Sequence, residues 1–325
     1  MTLHAVSKLL VIACAVISAN AVGAADPWPA KAVRVIVPFP PGGYVDLGTR
    51  LVAGPLSLAL GQQVVVENRG GAGGALGSEL AARAAPDGHT LVVGSVGTHA
   101  VNQSLYPKLA YHVLRDFTAV ARLSDSPNVL AVHPSLPARS TQDLIGLARA
   151  RPKEIIYASA GAGTSTHLAA VLFETLAKIE LVHVSYKGGG PAIIDVVAGQ
   201  VPVTFGTAAS VTPHTKTGRL RALGVTGGQR SALLPELPTI AESGLKGYEM
   251  LNWLGMFAPA GTPRAVVERL SSEVTRIVRL PEVRERLNAQ GAEPSPLGAD
   301  EFPAFVKREV EKWAKVVAVT RMKVD

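Results

Sequence analysis

Short apolar runs recur along the chain, and segments with a helical apolar period lie between them. The runs are Val33–Val37, Val64–Val66, Leu91–Val93, Val129–Val132, Ile155–Ala158, Leu181–Val184, Val201–Phe205 and Leu220–Val225. Alternation of this kind predicts parallel sheets covered by helices, an α/β class. Several helix boundaries are legible. Ser140 followed by Asp143 predicts a capping box, and Thr262-Pro263 predicts an N-cap with proline at the first helical position. Behind that cap, Val266, Val267, Leu270, Val274, Ile277 and Val278 form a core stripe. Near the end, Phe302, Phe305, Val306, Val310, Trp313 and Val317 do the same, with Glu311 and Lys315 paired on the wet side. The uncharged stretch Val196–Thr215 is apolar enough to suggest a membrane span. Its prolines 202 and 213, glycines 199 and 206 and several hydroxyl residues predict strand and loop instead.

Two loops follow strands and open helices. In VIVPFPPGGYVD, residues 35–46, the apolar run stops at Pro38, Pro40 and Pro41, turns through Gly42 and Gly43, and restarts as a helix near Asp46. The free N–H groups and dipole of a helix start favour an anion such as a carboxylate or phosphate. An anion loop and an ordinary strand-to-helix connection both fit this segment. The second loop, Gly161–His167, follows Ile155–Ala158 and opens a helix bearing Leu168, Leu172 and Leu176. There Thr164 and Ser165 either cap the helix or donate hydroxyl hydrogen bonds to a ligand oxygen, and His167 either joins them or packs. A third glycine-rich loop, Gly70–Gly77, has a G-x-G-x-x-x-G spacing at 71, 73 and 77. It lies in the second strand-helix unit and lacks an acidic ribose partner, so close helix packing explains it better than a nucleotide cofactor.

Composition narrows the class. Met1–Ala25 has a weakly basic start at Lys8, an apolar core over Leu9–Ile17 and a small-residue end, the pattern of a cleaved secretory signal. A retained anchor and a lipoprotein box at Cys14 are the alternatives. Cleavage before Asp26 leaves 300 residues with no cysteine, enough for two domains without disulfides. The remaining charge, 31 basic against 25 acidic residues, is dispersed, which speaks against nucleic acid and for general attraction to small anions. G-x-S-x-G and H-E-x-x-H are missing, and the histidines at 89, 99, 112, 133, 167, 183 and 214 are scattered. The weight falls on binding rather than catalysis, with no cofactor or metal expected.

The segments VIVPFPPGGYVD, GQQVVVENRGGAGGALGSELAARAAPDGHTL, YASAGAGTSTHLA, HVSYKGGGPAIIDVVAGQV, GRLRALGVT, LPTIAESGLKGYE and WLGMFAPAGTP occur in this order. In them the chain resembles the periplasmic solute-binding proteins of the tripartite tricarboxylate transporter family, the TctC or Bug group. The resemblance covers essentially the whole exported chain. It implies two α/β lobes that close on a ligand like a Venus flytrap: a signal over 1–25, a first lobe over 26–133, a second over 134–252 and a return to the first over 253–325. The chain would cross between lobes at Asn128–His133 and Trp253–Ala258.

The resemblance also implies that two loops hold a ligand carboxylate. From the first lobe these are Phe39, Gly42, Gly43, Tyr44 and Asp46, with Thr98 and Asn102 as further wall residues. From the second they are Ala162, Gly163, Thr164, Ser165 and His167, with Lys187, Gly188, Thr207 and Ala208 farther out. Where many members carry a small hydroxyl residue before the aspartate this chain has Val45, preceded by Tyr44. That departure implies an acid less hydroxylated than citrate, aromatic or short aliphatic, with Tyr44 against its apolar part. The implied partners are this carboxylate and the membrane subunits of a transporter or, as the alternative, a sensor kinase. The expected state is a monomer in the periplasm; a secreted hydrolase or dehydrogenase is the remaining reading.

Overall fold

The computed structural model describes residues 28–320. The predicted leader, Met1–Ala25, lies outside the described residues. The β-branched run Val33–Val37 (β1) is almost wholly buried and pairs in parallel with Val64–Asn68 (β2) and Thr90–Ser95 (β3). In the second half of the fold, Ile156–Ser159 (β5) pairs in parallel with Val182–Ser185 (β6) and Val203–Thr207 (β7). Helices join these strands, as parallel pairing requires a crossover.

The strand Phe117–Val132 (β4) runs through both halves. Its residues 117–127 pair antiparallel with Leu251–Pro259 (β9), and part of this stretch also pairs with Glu293–Leu297 (β10). From Asn128 onward the same strand pairs with β7, and from Val129 with Arg221–Val225 (β8). The order is β2-β1-β3-β9-β4-β7-β5-β6, with β10 and β8 attached to β4. The sheet is therefore mixed, where periodicity predicted parallel strands only. The apolar run at 251–259 and the proline-rich run at 293–297 are antiparallel strands, β9 entered from the segment 226–250 and β10 from the helices Arg264–Val278 and Pro281–Ala289.

Each lobe has its own core. Val33, Val35, Leu91 and Val93 pack with Val267, Leu270, Val274 and Ile277 of the helix Arg264–Val278. Val129 and Ala131 pack with Val196, Val201 and Val211. A third cluster joins the two, since Leu168 and Phe173 belong to the same buried group as Trp253, Phe302, Val310 and Trp313. Within it Glu309 accepts from the indoles of Trp253 and Trp313 at 3.0 and 3.3 Å, fixing the helix Phe302–Thr320 to β9.

The Ser140–Asp143 capping box forms as predicted. Three local expectations differ. The cap of the helix Arg264–Val278 is Pro263, and the Thr262 hydroxyl donates to Pro259 O at 2.8 Å. Glu311 lies 4.0 Å from Lys307 instead of pairing with Lys315. Residues Ala208–Lys216 are helical despite Pro213, because Thr207 caps them by accepting from Ser210 N. Among the described residues no helix is long and apolar enough to cross a membrane.

Candidate ligand-binding site

The first loop is held from behind by Asp46. Its Oδ2 accepts from Gly42 N at 2.9 Å, and its Oδ1 accepts from Arg50 Nε at 3.0 Å and Asn68 Nδ2 at 2.9 Å. Asn68 Nδ2 also donates to Phe39 O at 3.0 Å. Burial pushes the Asp46 carboxyl up, but the Arg50, Gly42 and Asn68 hydrogen bonds together hold it below the usual carboxylate range. Gly42 supplies the positive φ of +85° that lets its N–H turn toward this carboxylate. The helix Tyr44–Leu60 then begins at Gly43 with no side-chain cap, its first backbone bond running from Leu47 N to Gly43 O. The N–H groups of Tyr44, Val45 and Asp46 are left without helical partners.

The second loop repeats this arrangement with a different anchor. Gly163 N donates to His167 Nδ1 at 3.0 Å, and the His167 ring stacks on His183 at 4.2 Å between centroids. Burial, with His183 beside it, pushes the His167 imidazole down to about 4, so it stays neutral and free to accept. The Thr164 hydroxyl donates to Gly161 O at 2.7 Å, and Thr166 Oγ1 accepts from Ala160 N at 2.8 Å. These hydroxyls shape the loop instead of capping the helix Ser165–Ala177, which starts after Thr164 without a side-chain cap. Its first N–H groups, from Ser165 to His167, are also open.

The two helix starts meet at one cavity of about 180 Å³. Phe39, Tyr44, Val45 and Asn102 line it from the first lobe, and Ala162, Gly163, Thr164 and Ser165 from the second. The lobes are close here: a Cβ on Gly97 would lie 3.7 Å from Gly163 O. The Tyr44 hydroxyl is 3.0 Å from Ser124 Oγ on β4, and burial raises it far above the ordinary phenol range, so it remains a neutral donor or acceptor. Dipoles and free N–H groups from both sides therefore converge on a small volume that favours negative charge.

Other candidates from the sequence lie outside this lining. Gly42 and Gly43 are exposed at the rim, while Asp46 and His167 are buried behind the loops. Thr98 is fully buried; its Oγ1 accepts from Ser95 N at 2.9 Å, so it supports the turn that contributes Ser95 and Gly97 to the wall. Lys187 is exposed, and neither it nor Gly188 reaches the cavity. Thr207 lines a neighbouring cavity of about 130 Å³ that shares Ser165, whereas Ala208 packs into the second-lobe core. Among the lining residues that the sequence did not point to are Ser95, Gly97, Leu105, Tyr106 and Asn252. Tyr106 follows shortly after Asn102 in the chain; Asn252 lies within β9, where a lone polar residue in an apolar strand gave no local signal.

The family model for the tripartite tricarboxylate transporter family receptor matches residues 49–321. The chain belongs to this family. A UPF0065 protein encoded in the tcbD-tcbE intergenic region of Pseudomonas sp. strain P51 is 42% identical over 298 residues, covering 91% of this chain and 88% of that protein. The solved structure of Rhodopseudomonas palustris Rpa4515 with adipate has a TM-score of 0.79 at 36% identity, covering 91% of this chain and 99% of that one. MatC from the same organism, with bound malate, has a TM-score of 0.75 at 34% identity, covering 89% and 100%. Family membership makes the two-lobed fold that of a solute receptor, with the paired helix starts in the cleft between the lobes.

Proposed function

We propose that the chain is an exported periplasmic receptor that captures a small organic carboxylate between its lobes and delivers it to the membrane subunits of a tripartite tricarboxylate-type transporter. The observation that carries this reading is the pair of uncapped helix starts facing one cavity from opposite lobes. Adipate and malate in the two related structures support the ligand class. The expected lobes are 26–133 with 253–325 and, between them, 134–252; the exchange of β9 for β7 at Asn128 supports the first crossing, whereas Trp253–Ala258, expected as the second crossing, lies wholly within β9 beside β3 and the first half of β4.

The cavity holds roughly six waters' worth of liquid volume, which suits a compact acid rather than a drug-sized molecule. A hydrogen bond to a charged group contributes about 1.5 to 3 kcal/mol, so several of them offset ordering and desolvation and leave affinity near 1 μM, about −8 kcal/mol. The Tyr44 ring and Val45 give one wall an apolar character, which favours an aliphatic or aromatic acid over citrate. Phe39, Tyr44, Asn102, Gly163, Thr164 and Ser165 are the proposed ligand contacts. Asp46 and His167 set the geometry of the loops.

A thermal-shift and calorimetric screen of mono-, di- and tricarboxylates tests this reading. One class should stabilise the protein saturably, and Ser165→Ala should weaken it. Failure of every acid to bind would remove the proposal. Tight citrate binding, together with Tyr44→Ala leaving all affinities unchanged, would remove the apolar-acid refinement alone.

A further inference from the structure

Tyr44 stands between the first-lobe core and the carboxylate cavity: it packs against the buried group that contains Val45 and Leu254, and it lines the cavity. The side chain is tethered at both ends. Its backbone is the first residue of the helix Tyr44–Leu60, and its hydroxyl lies 3.0 Å from Ser124 Oγ on β4. Among the described residues each of these hydroxyls is the other's only side-chain hydrogen-bond partner.

Two local features bring Ser124 within reach of Tyr44. β4 is bulged where Ser124 stands: Arg122 and Ser124 oppose the adjacent residues Gly255 and Leu254 of β9, which leaves Leu123 as an extra residue. A bulge bends its strand and re-aims the side chains beside it. One turn after Tyr44, a Cβ on Gly48 would lie 2.8 Å from Leu254 Cδ1, so the glycine lets the helix start settle closely on the strand residue that opposes Ser124. Asn252, two residues before Leu254 on β9, lines the cavity. Ser124 itself is fully buried and outside the lining, so it acts on a ligand only through Tyr44. Holding the far end of a tyrosine removes the ring's freedom to swing about its side-chain bonds. The wall yields to a larger ligand only if the two hydroxyls separate, and separation leaves the Ser124 hydroxyl buried without a partner.

We propose that Ser124 is a positioning residue that sets the size limit of the ligand: it holds the Tyr44 ring as a fixed wall, so the cavity takes compact acids and rejects longer ones. The inference rests on the reading of this cavity as a carboxylate site. A bond that served stability alone would, when removed, weaken every acid alike. A bond that fixes one wall changes the ratio of affinities among acids of different length, because only the longer ones press on that wall.

Calorimetry with the unbranched acids, from acetate to octanoate and from oxalate to suberate, tests the role on the wild type, Ser124→Ala, Tyr44→Phe and the double variant. Wild-type affinity should fall off beyond one chain length. In Ser124→Ala the affinity of the first rejected acid relative to the best accepted one should rise about fivefold, the factor that corresponds to one ordinary hydrogen bond. Tyr44→Phe keeps the ring at a half-buried position and should give the same rise, which also reads the role if the buried substitution unfolds the chain. The double variant should go no further than either single one, since all three remove one interaction. Equal weakening of every acid, unchanged ratios, or additive effects in the double variant would overturn the inference and leave the carboxylate reading in place. Binding of no acid by the wild type would remove both.

Discussion

Asp46 and His167 do the same work on opposite lobes: each accepts a backbone N–H from the loop that precedes its helix. Replacing Asp46 by Asn would put an amide where three donors converge, with an expected loss of about 1 to 3 kcal/mol of unfolding free energy in denaturant melts. The folded pKa of Asp46 is depressed, so its stabilisation is present above the unfolded value near about 3.9 and is lost as pH falls through the folded value. Asp46→Asn should abolish that acid step. For His167 the proton balance runs at higher pH. The unfolded imidazole takes its proton near about 6.5 and the folded one only at about 4, so the unfolded state binds more protons in between. Stability should fall on acidification across this window, by about 3 kcal/mol for this group. His167→Asn keeps an acceptor for Gly163 N and removes the titration. Its stability profile from pH 7 to 4 should be flatter, and an unchanged slope would count against the assignment.

At the scale of elements, both ligand loops were legible because strand ends, proline stops and glycine turns are encoded within a few adjacent residues. The helix starts were legible too, but the capping use offered for Thr164 is not realised: its hydroxyl bonds inside its own loop, which leaves the helix N–H groups open to a ligand. The glycine-rich stretch at 70–77 shows the packing use that its spacing suggested. A Cβ on Gly77 would sit 2.8 Å from Pro38 Cα and closer still to Arg69 O, so the helix Ala75–Ala82 rests directly on the strand that feeds the first loop. Gly77→Ala should therefore displace Pro38 and lower both melting temperature and carboxylate affinity. An affinity loss without a stability loss would mean that the contact is not structural.

For the whole molecule, β4 and the shared core bind the lobes into one unit. Asn128, where β4 changes partners, donates from Nδ2 to Phe205 O at 2.9 Å and from its backbone to Thr226 Oγ1 at 2.8 Å. Trp253, Phe302 and Leu168 belong to one buried cluster that spans both halves. Calorimetry should accordingly show a single unfolding transition. Two resolved transitions would show that the lobes are stable independently. A bound acid at about 100 times its Kd should raise the unfolding free energy by about 2.7 kcal/mol, read as a shift of that one transition.

By itself the sequence determined the α/β class, most of the strands, the helix stripes and the two loops, since period and turn chemistry act over a few residues. It also carried the family resemblance through motifs in order. Tertiary structure decided which polar groups face the cavity and which stand behind it. Asp46 meets Asn68 from 22 positions away, and Tyr44 meets Ser124 from 80 away, so their roles depend on contacts that no local pattern encodes. The mixed sheet has the same origin: β4 gains partners from distant parts of the chain, and only its unsatisfied backbone on both edges reveals why they return to it.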